Sequence, residues 1–363
     1  MAPQSPRRPR PTARTHSSPR PGCCQRRTTS PIRQHGPVPD NRPPPVPYEA
    51  TAVRPDWAAL PAGLRDALAA RLGGPPTAVR VAGAGFTRGF AALLTGPGGD
   101  RVFVKAAELA GQRHLVDWYA HEAAVLARLP GGLPVPRPRW ALTEAGWYAI
   151  GLTAVDGRTP RLPWDPAELD AALAAYAEVA AALADPPADL VALGLPRLAD
   201  LARDDILWWG EVAAGREPPP EVPAWAPLPE LVALESRLPG YAAAGAGLAH
   251  GDLRVDNLLL DPAGRVWVCD WTWLCHGPAW FDLVGLLITG YASGLDVDTA
   301  FASHPAAAGA PPDALDVTLA ALAGYFLTGA AAGPSTASPH LRSHQRWSGE
   351  QALGWLADRQ GWR

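Results

Sequence analysis

The period of the hydrophobic pattern changes once along this chain, near Asp156-Gly157, and that change limits it to a two-part architecture. Before it, short runs at 78–82, 90–94, 101–106, 139–143 and 147–153 predict β-strands. Residues 64–72 predict a short helix. Residues 112–129 predict a longer one, because Leu115, Val116, Tyr119, Ala123, Leu126 and Leu129 fall near helical spacing. After the change, 166–183, 197–214, 228–242, 278–291, 314–327 and 341–359 are alanine- and leucine-rich stretches separated by proline and glycine, which predicts helices. Only 248–271 interrupts them with loop and short-strand character. The expected fold class is α+β: a small, mostly antiparallel sheet with one helix over 48–156, and a larger, mainly helical part over 157–363.

Residues 1–47 belong to neither part. They hold 13 prolines, nine arginines and one acid, Asp40, with almost no aliphatic side chains. Such a segment cannot bury enough apolar surface to offset its conformational entropy, so a disordered tail is expected. It has no apolar stretch of the kind a secretory signal needs. A translation start placed too far upstream would account for it, although Met1 is the only methionine. A tether for nucleic acid or a membrane surface would account for it too, and would bind with steep salt dependence.

The overall net charge of -3 hides this division. The tail carries +8 and the remaining 316 residues carry -11. An acidic body disfavours nucleic acid as a partner and favours cationic small molecules. No apolar run is read as long enough to cross a bilayer, the stretch at 281–288 being short. Cys23, Cys24, Cys269 and Cys275 show neither zinc-site nor disulfide-framework spacing, so reduced thiols and a cytoplasmic location are expected. The chain is expected to act as a monomer or homodimer.

Lys105 is the only lysine, against 31 arginines, and it lies in Arg101-Val102-Phe103-Val104-Lys105. Lysine carries a compact point charge on a thin stem, whereas the guanidinium of arginine is a wide rigid fork. A site that threads one charge between phosphate oxygens and a carboxylate can require lysine. Downstream stands His250-Gly251-Asp252-Leu253-Arg254-Val255-Asp256-Asn257, and 13 positions after Asn257, at the end of an apolar strand, Asp270. Phosphoryl transfer needs a carboxylate to orient and deprotonate the acceptor hydroxyl, oxygen ligands for Mg²⁺, and positive charge for a loose transition state. Asp252 at a loop apex suits the first role. Asn257 offers a neutral oxygen and Asp270 an anionic one, a small ligand set of the kind Mg²⁺ accepts. Arg254 would lie near the transferred phosphate. Singly, such Asp and Asn residues cap turns and helix starts; the ordered set points to chemistry.

His250-Gly251-Asp252 and Asn257, with Val268-Cys269-Asp270-Trp271, resemble the aminoglycoside phosphotransferase family, relatives of the protein kinases. The resemblance covers roughly residues 75–360. It implies a protein kinase-like two-lobed fold, Asp252 as catalytic base, and Asn257 and Asp270 as Mg²⁺ ligands. Asp282 would tie the catalytic loop to a helix of the C-lobe. Lys105 would grip the α- and β-phosphates of ATP or GTP, with Glu122, 17 residues on, as its partner; Glu108 is nearer in sequence but should face water. Gly83-Ala84-Gly85-Phe86-Thr87-Arg88-Gly89 would cover the phosphates, Gly85 allowing close backbone approach and Thr87 offering a hydroxyl. The base would lie near residues 150–155.

The acceptor, expected to be a small hydroxylated molecule, is less clearly marked. Asp204, Asp205 and Glu211 beside Trp208 and Trp209, together with Trp347 and Trp355, could hold an aminated sugar by ion pairing and stacking. The same residues also suit a solvated helix face and a core. The implied activity is a small-molecule kinase; the alternative is a catalytically silent kinase-like protein that binds nucleotide or a partner. Intact Lys105, Asp252, Asn257 and Asp270 favour the enzyme.

Overall fold

The computed structural model describes residues 46–363. The disorder expected for 1–47 therefore lies outside the described residues except at Val46 and Pro47, of which Val46 is buried. The N-terminal part holds α1 (Ala62–Leu72), β1 (Ala78–Val81), β2 (Phe90–Thr95), β3 (Arg101–Glu108), α2 (Arg113–Leu126), β4 (Pro138–Glu144) and β5 (Trp147–Thr153). The five strands form one antiparallel sheet in the order β1-β2-β3-β5-β4.

Alternation along β3 gives the sheet two different faces. Val102, Val104 and Ala106 point to a core closed by Leu64, Leu68 and Leu72 of α1, with Phe90, Ala92 and Leu94 beside them. Phe103 and Lys105 point the other way, with Lys105 opposite Ala91 on β2 and Ile150 on β5. One strand thus anchors itself by its apolar face and presents an ammonium from the other. Gly73 ends α1 in the left-handed conformation (φ 77°), which glycine adopts without strain.

The C-terminal part holds α3 (Pro166–Leu183), α4 (Ala188–Val191), α5 (Leu198–Leu201), α6 (Trp209–Ala213), α7 (Leu228–Glu235), α8 (Leu238–Ala244), β6 (Leu248–Ala249), β7 (Leu258–Leu260), β8 (Val266–Val268), β9 (Cys275–His276), α9 (Trp280–Tyr291), α10 (Val297–Ser303), α11 (Ala314–Ala331) and α12 (Leu341–Gln360). The helix expected over 197–214 is broken: a π-helical turn at Ala202–Ile206 separates α5 from α6. That over 228–242 divides at Ser236-Arg237, just ahead of Pro239, which has no backbone N–H to continue a helix from within.

The segment joining the two parts also braces the β7–β8 hairpin. Arg158 N–H donates to Leu260 O at 3.0 Å and Leu260 N–H to Arg158 O at 2.7 Å, while Val268 N–H donates to Pro134 O at 2.8 Å. The β7–β8 hairpin is therefore bonded to the linker on one side and to the sheet-bearing part on the other.

One expectation needs correction. Helix α11 has the length and mean hydropathy (1.4) to cross a bilayer, contrary to the reading that no segment does. It runs to Ala331, beyond the predicted 327, because alanine and glycine carry the pattern on. In the fold 83% of it is buried, packed against α12, α7 and α9, so its apolar character fills the core.

Candidate active site

The sheet, the hairpin and the linker enclose a cleft of about 480 Å³. Gly85, Thr87, Lys105, Glu122, Asp252, Arg254, Asn257 and Asp270, all read from sequence as site residues, line this one cleft. Lys105 Nζ lies 2.8 and 2.7 Å from the two Glu122 oxygens, 3.4 Å from Asp270 Oδ1, and 5.7 Å from the centre of the Tyr119 ring. Glu122, not Glu108, is thus its carboxylate neighbour from the N-terminal part. Burial opposes the Lys105 charge, but Asp270 and Glu122 outweigh it and raise the ammonium's pKa. Burial also opposes the Asp270 carboxylate, yet Lys105 and a hydrogen bond from Thr272 Oγ1 (2.9 Å) hold it ionised, below the ordinary range. Asp270 has φ 62°, a left-handed backbone uncommon outside glycine, and such strain gathers where side chains are aimed at a site.

The loop that bears Asp252 is held from beneath by Asp282 on α9. His250 N–H donates to Asp282 Oδ2 at 2.6 Å and Gly251 N–H to Oδ1 at 2.8 Å, while the Tyr176 hydroxyl donates to Oδ2 at 2.8 Å. Burial raises the Asp282 carboxyl, opposed by His250 and these donors. His250 is fully buried. Its Nδ1 accepts from Asp252 N–H at 3.3 Å, so the proton belongs on Nε2, which donates to Cys269 O at 3.0 Å. Burial lowers its pKa, in keeping with a neutral ring that braces the loop. Gly251 must be glycine: its φ is 79°, and a Cβ there would lie 2.2 Å from Trp273 O.

At the loop apex Asn257 Nδ2 donates to Asp252 O at 2.8 Å and to Asp252 Oδ2 at 3.2 Å. With its nitrogen spent, the Asn257 amide keeps its oxygen for a ligand, and with the ionised Asp270 it makes a donor pair suited to Mg²⁺. Arg254 lies 3.3 Å from Asp252 and forms a two-pronged pair with Asp256 at 3.0 Å on each prong, its guanidinium 5.4 Å from the Phe86 ring centre. Burial opposes its charge, and Asp252 and Asp256 more than restore it. Arg254 is therefore anchored by two carboxylates, one of which, Asp256, had been given no separate role.

Behind Asp252 a second, smaller cavity of about 50 Å³ is walled by Tyr48, Phe281, Tyr325, Phe326, His344 and Ser348. The indoles considered as acceptor contacts lie elsewhere. Trp208, Trp209, Trp347 and Trp355 are buried in the core, with Trp209 Nε1 donating to Ala320 O at 2.8 Å. Glu211 pairs with Arg216, and Asp204 and Asp205 are exposed on the π-helical turn. Sequence reasoning missed Arg54, which reaches the cleft from a segment ahead of α1, and Tyr48 of the same segment, which walls the smaller cavity. Arginine is too common here for Arg54 to stand out as Lys105 does.

Comparison with known proteins bears on the family and the fold. The model of the phosphotransferase enzyme family matches residues 79–325. The chain belongs to that family. It is a phosphotransferase, and the matched span runs from the first strand of the sheet through the catalytic loop into α11. Among solved structures, the GDP and kanamycin complex of APH(2")-IIia aligns with a TM-score of 0.53 and 18% identity, over 79% of this chain and 94% of that one. A thermostable mutant of aminoglycoside phosphotransferase APH(4)-Ia, in a ternary complex with ADP and hygromycin B, aligns with a TM-score of 0.54 and 16% identity, covering 81% and 98%. Macrolide 2'-phosphotransferase type I aligns with a TM-score of 0.53 and 20% identity, covering 77% and 94%. At these identities the likeness shows the kinase-like fold. No curated protein matches the chain in sequence.

Proposed function

We propose that this phosphotransferase moves the γ-phosphate of ATP or GTP to a hydroxyl of a small, hydroxylated and cationic acceptor, such as an aminoglycoside, another antibiotic or a metabolite. The observation that carries the reading is the meeting of Lys105, Glu122 and Asp270 within 3.4 Å, in the same cleft as Asp252 and Asn257. In this reading residues 48–156 form the nucleotide-binding lobe, and residues 157–363 carry the catalytic loop and the acceptor site. Its reduced Cys269 and Cys275 suit work in the cytoplasm.

The nucleotide base packs against Leu93, Phe103, Leu152 and Leu259, the apolar end of the cleft. Lys105, held by Glu122 while phosphates are absent, binds phosphate oxygens, and the loop bearing Gly85 and Thr87 covers them. Asn257 and Asp270 hold Mg²⁺, which when bound neutralises charge on the phosphates. Asp252 orients the acceptor hydroxyl and takes its proton as the new O–P bond forms and the bond to the β–γ bridging oxygen breaks. Arg254 adds positive charge beside the transferred group. Acid–base help of this kind contributes about 10²–10⁴-fold, with electrostatic positioning supplying most of the rest.

The relatives support the nucleotide and the acceptor class: one was solved with GDP and kanamycin, another with ADP and hygromycin B. The test is Mg²⁺-dependent release of ADP or GDP by the full chain, across a panel of hydroxylated amines, antibiotics and amino acids, with Asp252→Asn as the blank. Acceptor-stimulated release lost in the variant is expected. Nucleotide binding without release above the blank for any acceptor would favour a silent binding protein.

A further inference from the structure

The segment at residues 46–56 makes contacts that neither the family motifs nor the proposed chemistry use. It runs as a strap from the C-terminal helices to the glycine-rich loop. At one end the Tyr48 hydroxyl lies 2.9 Å from His344 Nδ1 on α12, and Ser338 Oγ donates to Thr51 O at 2.6 Å. At the other, the strap takes up the loop's carbonyls one after another. Arg54 Nε donates to Ala82 O at 3.2 Å, Ala52 N–H to Gly83 O at 2.7 Å, Arg54 Nη2 to Ala84 O at 2.9 Å, and Thr51 Oγ1 to Gly85 O at 2.9 Å. Arg54 Nη1 completes the set, donating to Gly89 O at 2.9 Å and Thr87 Oγ1 at 3.2 Å.

Two consequences follow for an anion over this loop. Carbonyl oxygens repel phosphate oxygens, and here four consecutive carbonyls are turned onto strap donors, with a guanidinium at the centre. A trans peptide points its C=O and N–H in opposite directions. Fixing the carbonyls of residues 82–85 therefore turns the amides of residues 83–86 away from the strap. Among the described residues these amides donate to nothing. Arg54, like Lys105, lines the cleft itself. The close fit also explains two glycines: a Cβ on Gly83 would lie 2.0 Å from Glu49 O, and one on Gly85, with φ 99°, would lie 2.9 Å from Arg54 Nη2.

We infer that Arg54 is a positioning residue for the nucleotide phosphates, setting the shape and charge of the glycine-rich loop from a segment outside the family motif. The inference rests on the reading of the cleft as a nucleotide site. Arginine is required because the role uses a planar fork that reaches four acceptors at once, which an ammonium cannot do.

The experiment compares Mg²⁺-ADP and Mg²⁺-GDP with adenosine and guanosine, by titration calorimetry on the full chain and on Arg54→Ala, Arg54→Lys and Thr51→Val. For whichever base the native chain binds, Arg54→Ala should weaken the diphosphate by about tenfold or more and the nucleoside by less than about twofold. Arg54→Lys should resemble Arg54→Ala, and Thr51→Val should show a smaller diphosphate-selective loss, which keeps the test open should Arg54→Ala not fold. Unchanged diphosphate affinity, or an equal loss of diphosphate and nucleoside, would overturn the inference. If the native chain bound neither compound, the reading of the cleft itself would fall, and this inference with it.

Discussion

The catalytic loop and the strap meet the same cleft, but the chain encodes them in opposite ways. The loop's contacts are short in sequence: Asn257 reaches back to Asp252, His250 to Cys269, and Gly251 to Asp282, 31 positions away. The strap's anchoring contacts are long, with 287 positions between Thr51 and Ser338 and 296 between Tyr48 and His344, although its bonds to the glycine-rich loop span 28 to 35. Contacts within a compact motif constrain residue types at fixed spacing and can be read from one sequence. The strap's donors are set by carbonyls it meets in space and not by neighbours at fixed spacing, so its residues carry no local signature.

The comparison predicts that losses of chemistry should concentrate in the loop. Asp252→Asn keeps the volume and removes the proposed base, so turnover should fall about 10³-fold while nucleotide affinity stays, read from initial rates and a binding titration. Equal losses in both would move Asp252 from chemistry to binding. Asp282→Ala leaves the amides of His250 and Gly251 without their acceptor, while the Tyr176 hydroxyl keeps Ala279 O. Denaturant unfolding should show a loss of about 3 kcal/mol. A loss under about 1 kcal/mol would mean the loop is held by other means.

Lys105→Arg sharpens the comparison by keeping charge and changing shape. The guanidinium should not fit between Glu122 and Asp270, and turnover should fall about 10²-fold; near-native rates would remove the reason given for the single lysine. On the strap side, Tyr48→Phe deletes one hydrogen bond to His344. It should cost about 1 kcal/mol of stability and change the affinity for nucleoside diphosphate by less than about twofold. A large effect on turnover would make the far end of the strap part of the acceptor site.

How much was legible follows the same division. The five strands and the longer helices α2, α3, α9 and α12 were readable because strand alternation and helical spacing are local properties. The break at Ala202–Ile206 was not: the alanine- and leucine-rich pattern runs through it, and the π-helical turn that seats Trp208 and Trp209 in the core reflects packing against α11. Trp347 and Trp355 were read as possible acceptor contacts for the same reason, since an indole in sequence does not show whether it faces a ligand or the core. Lys105 stood out by rarity, whereas Arg54, one of 31 arginines, could not. Glu122 was legible as a partner through the family resemblance, but the anchoring of Arg254 by Asp256 was not, because adjacent charges in a loop have no fixed direction.

The most direct test of the account follows the phosphate itself. The full chain is incubated with Mg²⁺ and γ-³²P-labelled ATP or GTP and the acceptor that best stimulates diphosphate release, with Asp252→Asn in parallel, and the products are separated. Label appearing in a phosphomonoester of the acceptor, and missing in the variant, is the predicted result. Label found only in inorganic phosphate, or equally in both proteins, would contradict transfer to an acceptor hydroxyl with Asp252 as the base.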